Sequence, residues 1–364
     1  MKKNRWMPAI MMLLMAVLVL GACGEVGNNG AGGNAGNGSA NSGGGSSSSG
    51  GGGNAGNGGA SEGSGNAANG GAADEKPYIP LISKGFQHQF WQAVKQGAEK
   101  AAAEFDVDIT FEGPENESQV DKQIEMLQAA LDKEPDAIGL AALDSQAAVQ
   151  LLEKAKSAGI PVIGFDSGVD SDIPAATAAT DNKAAAALAA DKMAELIGGK
   201  GEIALIVHDQ TSRTGVDRRD GFMEQIKAKY PDIDIVDVQY GGGDQLKSTD
   251  LAKAVMQAHP DLKGIFGSNE GSAIGVVNAV GELGKSGKVT VVGFDSGKLQ
   301  TDAIRNGTMA GAVTQDPIGI GYWTVKAAVM ALRGETVENT IDTGFHWYDK
   351  TNMDAEEIKP LLYE

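Results

Sequence analysis

Gly164-Phe165-Asp166-Ser167-Gly168 recurs 129 residues later as Gly293-Phe294-Asp295-Ser296-Gly297. Each copy follows a β-branched run, Pro161-Val162-Ile163 in one and Thr290-Val291-Val292 in the other. Each therefore places an aspartate just past a strand, where ligands of open parallel sheets bind. An ionised carboxylate is a pure acceptor, and its bonds are the stronger, charge-assisted kind. Carboxylates and amides gathered in a cleft suit a neutral, hydroxyl-rich molecule, and once desolvated they penalise one that lacks a matching hydroxyl. Other predicted strands also end in polar residues: Ser83 to Gln89, Asp144, Asp209, Asp244, Asn269 and Gln315. For any one of these, the commoner role is local, as a helix N-cap. Phe90 and Trp91, just past the first strand, offer ring faces suited to the C–H side of a polyol.

The elements that must position these groups are legible. Strands are predicted at Tyr78–Ile82, Ile109–Glu112, Ala137–Ala141 and Pro161–Phe165. A second series lies at Glu202–Val207, Asp234–Gln239, Lys263–Gly267, Lys288–Phe294 and Ala310–Val313. Helical segments alternate with them. In Phe90–Phe105, Val94, Ala98, Ala101 and Phe105 share one face. Ser118, with Asp121 three residues on, predicts a capping box for Gln119–Leu131. Strand–helix alternation implies parallel sheets covered on both faces. Glu134-Pro135-Asp136-Ala137-Ile138-Gly139-Leu140 is echoed 125 residues later by His259-Pro260-Asp261-Leu262-Lys263-Gly264-Ile265, nearly in step with the aspartate repeat. Two echoes in the same order predict two lobes of one topology.

The chain has 364 residues and divides by composition into three zones. Lys2, Lys3 and Arg5 precede an apolar run from Met7 to Leu20, too short for a typical bilayer-spanning helix, and Leu20-Gly21-Ala22-Cys23 follows. This export signal resembles that of bacterial lipoproteins, which implies a lipid on Cys23, the sole cysteine, and anchorage to the outer face of a cell membrane. Gly24 to Lys76 is rich in Gly, Ser, Asn and Ala and cannot build a core; it is expected to be a flexible tether with a reach of roughly 40 Å. Such a tether suits a single-membrane, Gram-positive cell wall. Residues 77–364 carry the formal net charge of −18, because the signal and the tether offset one another. That acidity argues against a nucleic-acid partner.

Enzyme signatures are poor. The four histidines, His88, His208, His259 and His346, lack metal-ligand spacing, and surface or loop roles are expected for most of them. Gly284-Lys285-Ser286 imitates the end of a phosphate-binding loop, but Ala279 stands where its first glycine is required. Neither a cofactor nor a catalytic group is indicated.

Ser83 to Trp91, the AGIPVIGFDS segment, Thr180-Asp181-Asn182, Arg218-Arg219-Asp220-Gly221-Phe222, HPDLKGIFGSNE, VTVVGFDSG and Ala312-Val313-Thr314-Gln315 together resemble the ribose/galactose-type sugar-binding proteins of ABC importers. The likeness covers nearly all of residues 77–364. It implies the type I periplasmic-binding fold: α/β, two similar doubly wound parallel-sheet lobes joined by a three-segment hinge. The crossings are expected near Ala176–Asp181, Thr314–Pro317 and Thr343–Tyr348. One lobe would hold residues 77–180 and 316–344, and the other 181–315 and 345–364. The implied function is capture of a monosaccharide or polyol by hinge closure and delivery to an ABC permease, the folded part acting as a monomer. A sensing module that docks on a membrane receptor or sensor kinase is the alternative. The implied ligand-binding residues are Ser83, His88, Phe90, Trp91, Asp166 and Ser167 from the first lobe, and Arg218, Asn269, Asp295 and Gln315 from the second lobe and hinge. For Arg218 the competing role is a surface salt bridge with Asp217 or Asp220. Three positions depart from the ribose-binding pattern: Ser167 where arginine is usual, His88 where asparagine is common, and Gly243 where a ring often stands. Losing a guanidinium and a ring implies a roomier pocket, for a hexose, another pentose or a sugar alcohol.

Overall fold

A computed structural model describes residues 76–363. The export signal, Cys23 and the tether up to residue 75 lie outside the described residues. In the first lobe, β1 (Tyr78–Ile82), β2 (Asp108–Glu112), β3 (Ile138–Leu140), β4 (Val162–Phe165) and β5 (Ala176–Ala179) alternate with α1 (Gln89–Phe105), α2 (Val120–Leu131) and α3 (Val149–Ser157). In the second lobe, α4 (Asn182–Ile197) is followed by β6 (Gly201–Val207), α5 (Arg213–Lys229), β7 (Ile233–Tyr240), α6 (Gln245–Ala258) and β8 (Gly264–Gly267). Then come α7 (Glu270–Glu282), β9 (Thr290–Phe294), α8 (Lys298–Asn306) and β10 (Gly311–Gln315). The chain returns to the first lobe for α9 (Pro317–Leu332) and β11 (Thr340–Asp342), and β12 (Phe345–Asp349) joins the second sheet.

The two sheets run β2-β1-β3-β4-β5-β11 and β7-β6-β8-β9-β10-β12. The first five strands of each have the same order, so β3 matches β8 and β4 matches β9, the pairs that carry the two sequence echoes. All neighbours in the first sheet are parallel. The second sheet departs from the expected all-parallel form at one edge, where β12 runs antiparallel to β10. This order is the doubly wound one whose ligand crevice opens at the carboxyl ends of the strands, where the winding direction reverses.

Central strands β3, β4 and β8 are buried along their whole length, as helices on both faces require. Each lobe accordingly has two apolar clusters, one on either side of its sheet. Helices α1 and α9 pack closely because Gly97 and Gly321 lack side chains; a Cβ at either would strike the backbone of the other helix, at Ile318 and Val94.

Each expected strand forms, with small shifts at the ends. Helix α2 does not begin as expected. The Ser118 hydroxyl donates to Asn116 Oδ1 (2.6 Å) instead of capping, and the Gln119 Oε1 accepts from the N–H groups of Glu115 and Asn116 (3.0 and 3.4 Å). Short polar side chains in this loop satisfy one another locally and leave the helix end uncapped by a side chain.

Three segments cross between the sheets: β5 to α4, β10 to α9, and β11 to β12. The first and third of these are stitched together. Thr343 N–H donates to Ala179 O (3.1 Å), Thr180 Oγ1 to Gly344 O (3.3 Å), and Asp181 N–H to Asp342 Oδ1 (3.3 Å).

Candidate functional site

The carboxyl ends of both sheets face one interlobe cavity of about 20 Å³, closed down well below the roughly 300 Å³ at which small-molecule sites begin. It is lined by Lys84, His88, Phe90, Trp91, Glu117 and Asp166 from the first lobe, and by His208, Thr214, Arg218, Asn269, Asp295 and Gln315 from the second. A larger groove of about 830 Å³ lies between α5 and β7. It belongs to one lobe only, so closure of the lobes cannot enclose it.

The repeated aspartates reach the cavity through an unusual backbone. Asp166 and Asp295 have φ of 56° and 79°, the left-handed region that non-glycine residues rarely enter. In each case the N–H still completes the sheet, Asp166 to Ala178 O (2.9 Å) and Asp295 to Val313 O (2.7 Å), before the chain turns away. The carboxylates then meet different surroundings. Asp295 Oδ1 accepts from Gln315 Nε2 (2.7 Å), and Oδ2 from the Glu270 N–H (2.8 Å) with Arg218 Nη1 4.0 Å away. The Asp166 carboxylate has no hydrogen-bond donor among the described residues. Burial pushes its pKa up to about 6 against the pull of Lys84 and Arg218, with Glu117 and Asp295 adding to the rise.

Arg218 is held as an apparatus rather than as a surface charge. It is 3% exposed. Its Nε donates to Asn182 Oδ1 (2.8 Å), its Nη1 donates to Ser268 O (3.0 Å), and its guanidinium lies 3.8 Å above the Phe294 ring. The neighbouring acids go elsewhere: Asp217 pairs with Arg213 and Asp220 with Arg219. Asn269 serves twice. Its Oδ1 caps α7 at the Ser272 N–H (2.9 Å), and its Nδ2 reaches Glu117 Oε2 (3.3 Å) across the cleft. Asp144, Asp209 and Asp244 have the local role: each accepts backbone N–H bonds in the turn or helix start that follows it.

Trp91 and Phe90 form the aromatic wall. They meet edge to face at 5.0 Å, and Trp91 Nε1 donates to Glu117 Oε1 (2.8 Å). Both also belong to the first-lobe core. Burial works to raise Glu117, yet it is held below the ordinary carboxylate range, chiefly by Lys84 beside it and with the indole bond adding to the effect. Lys84 is 2% exposed and crosses the cleft to Thr214 Oγ1 (3.0 Å).

Two of the ten expected ligand contacts do not line the cavity. The Ser83 hydroxyl donates to Gly85 O and Glu112 O (both 3.2 Å), which fixes the turn after β1; Lys84, one residue on, faces the cavity instead. Ser167 is fully buried outside the cavity, because the left-handed turn at Asp166 aims only the aspartate inward. His208 is not a surface histidine. It is 1% exposed and bridges Ser268 Oγ (2.8 Å) and Thr214 Oγ1 (3.1 Å), and burial lowers its pKa so that it is neutral. Gly243 does not open a larger pocket either. A Cβ there would meet the Glu117 carboxylate and approach the Asn269 and Gln87 amides, so polar groups fill the space that a ring would take. Lys84, Glu117 and Thr214 were not singled out from sequence. Lys84 and Glu117 sit just past β1 and β2, and the strand-end rule that found Asp166 also covers them.

Residues 79–336 match the family model described as the periplasmic binding protein domain. The D-ribose/D-allose-binding protein of Pseudomonas aeruginosa is 27% identical over 74% of this chain and 86% of its own length. Among solved structures, an ABC transporter solute-binding protein from Agrobacterium vitis with bound α-D-tagatopyranose is 33% identical, with a TM-score of 0.77 over 79% of this chain and 100% of that one. A second from the same organism, with bound D-fucose, is 36% identical, with a TM-score of 0.76 over 79% and 100%. The chain thus belongs to the periplasmic binding protein family, as a sugar-binding protein of the ABC-importer type.

Proposed function

We propose that this protein encloses one neutral monosaccharide or sugar alcohol between its lobes by hinge closure and hands it to an ABC permease. The observation that carries this reading is the set of buried polar atoms without partners around the cavity. Among the described residues nothing donates a hydrogen bond to the Asp166 carboxylate, and Gln315 Oε1 and His88 Nδ1 are buried and unpartnered. Each such group costs about 1–3 kcal/mol until a ligand hydroxyl meets it. The sugars named for the relatives, ribose, allose, tagatose and fucose, are all polyhydroxylated and uncharged. The charge of the cavity favours the same class: Glu117, Asp166 and Asp295 outnumber Lys84 and Arg218, so a sugar acid would meet net repulsion.

Ligand contacts from both lobes favour the closed state, and only that difference in affinity drives closure. A melting-temperature screen against aldoses, ketoses and alditols tests the reading. At a hundredfold excess over Kd, the bound sugar adds about 2.7 kcal/mol. Unchanged melting across the whole panel would reject it.

Leu20-Gly21-Ala22-Cys23 supports anchorage through lipid on Cys23, with the Gly/Ser/Asn-rich segment as the tether. The C23S protein should then move from the membrane fraction to the medium.

A further inference from the structure

Three helix N-termini converge at one point between the lobes: α1 from the first lobe, and α7 and α8 from the second. Helix α1 has no cap of its own. His88 makes no side-chain capping bond, and the first turn holds no acidic residue. The orphan N–H groups are satisfied from the other lobe. Glu270 Oε1 accepts from the Gln89 N–H and Oε2 from the Phe90 N–H, both at 3.1 Å. Glu270 is 3% exposed. The exchange runs both ways, since Gln89 Oε1 accepts from the Lys298 N–H (2.6 Å) at the start of α8, whose N-cap is Gly297.

We infer that Glu270 and Gln89 form a closure latch, in which each lobe caps a helix of the other only while the lobes are together. The inference rests on the hinge-closing reading above. Neither residue lines the sugar cavity. Opening leaves the first N–H groups of α1 without a side-chain acceptor and takes from Glu270 the two backbone bonds that, with the helix ends, partly offset the burial raising its pKa. The latch therefore adds the same increment to the closed state whichever sugar is bound. It lengthens residence without discriminating, whereas the cavity groups discriminate.

Hydrogen exchange on the purified protein, held closed by a sugar that stabilises the wild type, reads the latch directly. The Gln89 and Phe90 amides have no intrahelical acceptor, so their protection comes from Glu270. In E270A both amides should exchange at least tenfold faster, while amides from Val94 onward stay protected. E270Q keeps one acceptor oxygen and should fall between. Unchanged exchange at 89 and 90 in sugar-bound E270A would overturn the latch, and because the sugar is chosen by its effect on the wild type, that outcome stands apart from failure of the sugar screen. With two sugars that stabilise the wild type, E270A and Q89A should speed dissociation of both by a common factor, roughly tenfold for E270A. Unequal factors for the two sugars would instead make Glu270 a ligand contact and overturn the assignment. Faster exchange throughout α1 would equally overturn it, by showing general loss of fold.

Discussion

Asp166 and Asp295 hold the same place in the two lobes and share a left-handed backbone, yet among the described residues only the Asp295 carboxylate of the two accepts hydrogen bonds, from Gln315 Nε2 at 2.7 Å and the Glu270 N–H at 2.8 Å. The twofold repeat thus divides its labour. Asp295 braces the second-lobe wall and orients Gln315, and Asp166 faces the cavity as the unspent acceptor.

An uncompensated buried carboxylate destabilises the fold. The pKa of Asp166 rises from 3.8 to about 6. The folded protein therefore holds a proton that the unfolded chain has released between those values, and stability falls as pH rises through the window. Below pH 3.8 this group costs nothing; above about 6 its cost is complete, about 3 kcal/mol. D166N should be more stable than wild type at pH 7.5 by up to that amount, and similar to it at pH 4. Denaturant melts of the pair at several pH values check this, and the subtraction cancels other titrating groups.

The same residue sets the pH dependence of binding. Sugar hydroxyls that donate to Asp166 need the ionised form, so protons compete with the sugar. Affinity should be flat above about pH 6.5 and weaken by up to roughly tenfold at pH 5. Calorimetric titration across that range measures it, and D166N, with at least tenfold weaker binding at pH 7.5, should show a flat profile.

Asp295→Ala should behave differently from D166N. It strips the partner from Gln315 Nε2 and from the Glu270 N–H, which costs about 2–3 kcal/mol of stability in addition to sugar affinity. Thermal melts alongside titrations separate the two variants: D166N trades affinity for stability, and D295A loses both.

Glu117 is expected to steer specificity through Trp91. E117Q keeps an acceptor for the indole N–H and should hold Trp91 in place, while E117A leaves Trp91 Nε1 and Asn269 Nδ2 without their bonds. Near-ultraviolet dichroism should change in E117A and not in E117Q. Sugar affinity should fall at least tenfold in E117A.

Charge selectivity is a separate expectation. For whichever neutral hexose binds best, its uronate should bind at least about a hundredfold more weakly, because like charges brought together in a closed site cost several kcal/mol. E117Q, with one carboxylate fewer, should narrow the gap. Competition titrations at constant ionic strength measure both.

Much of the architecture is local and so was legible. Runs such as Val162–Phe165 and Thr290–Phe294 are β-branched or aromatic and bounded by turn residues. Three strands were not read as strands, among them β12, whose aromatic run at residues 345–348 fits the pattern but lies within an expected hinge crossing. β5 is Ala-Thr-Ala-Ala, low in β propensity, and β11 is a short, largely exposed edge. Both are specified by partners that already exist, β4 for one and β5 for the other.

At the site, the sequence by itself determined the two strand-end aspartates, the aromatic pair and the hydroxyl-recognising character of the cleft. These follow from strand ends and repeats, which depend on near neighbours in the chain. Only the tertiary structure decided how the groups are spent. It turned Ser83 and Ser167 away from the cavity, buried His208 as a neutral bridge, and gave the place beside Gly243 to Glu117. Lys84 meets Thr214 across 130 residues of chain, and Glu270 meets Phe90 across 180. A hydrogen bond acts over about 3 Å, so such pairings exist only once both lobes are folded and brought together.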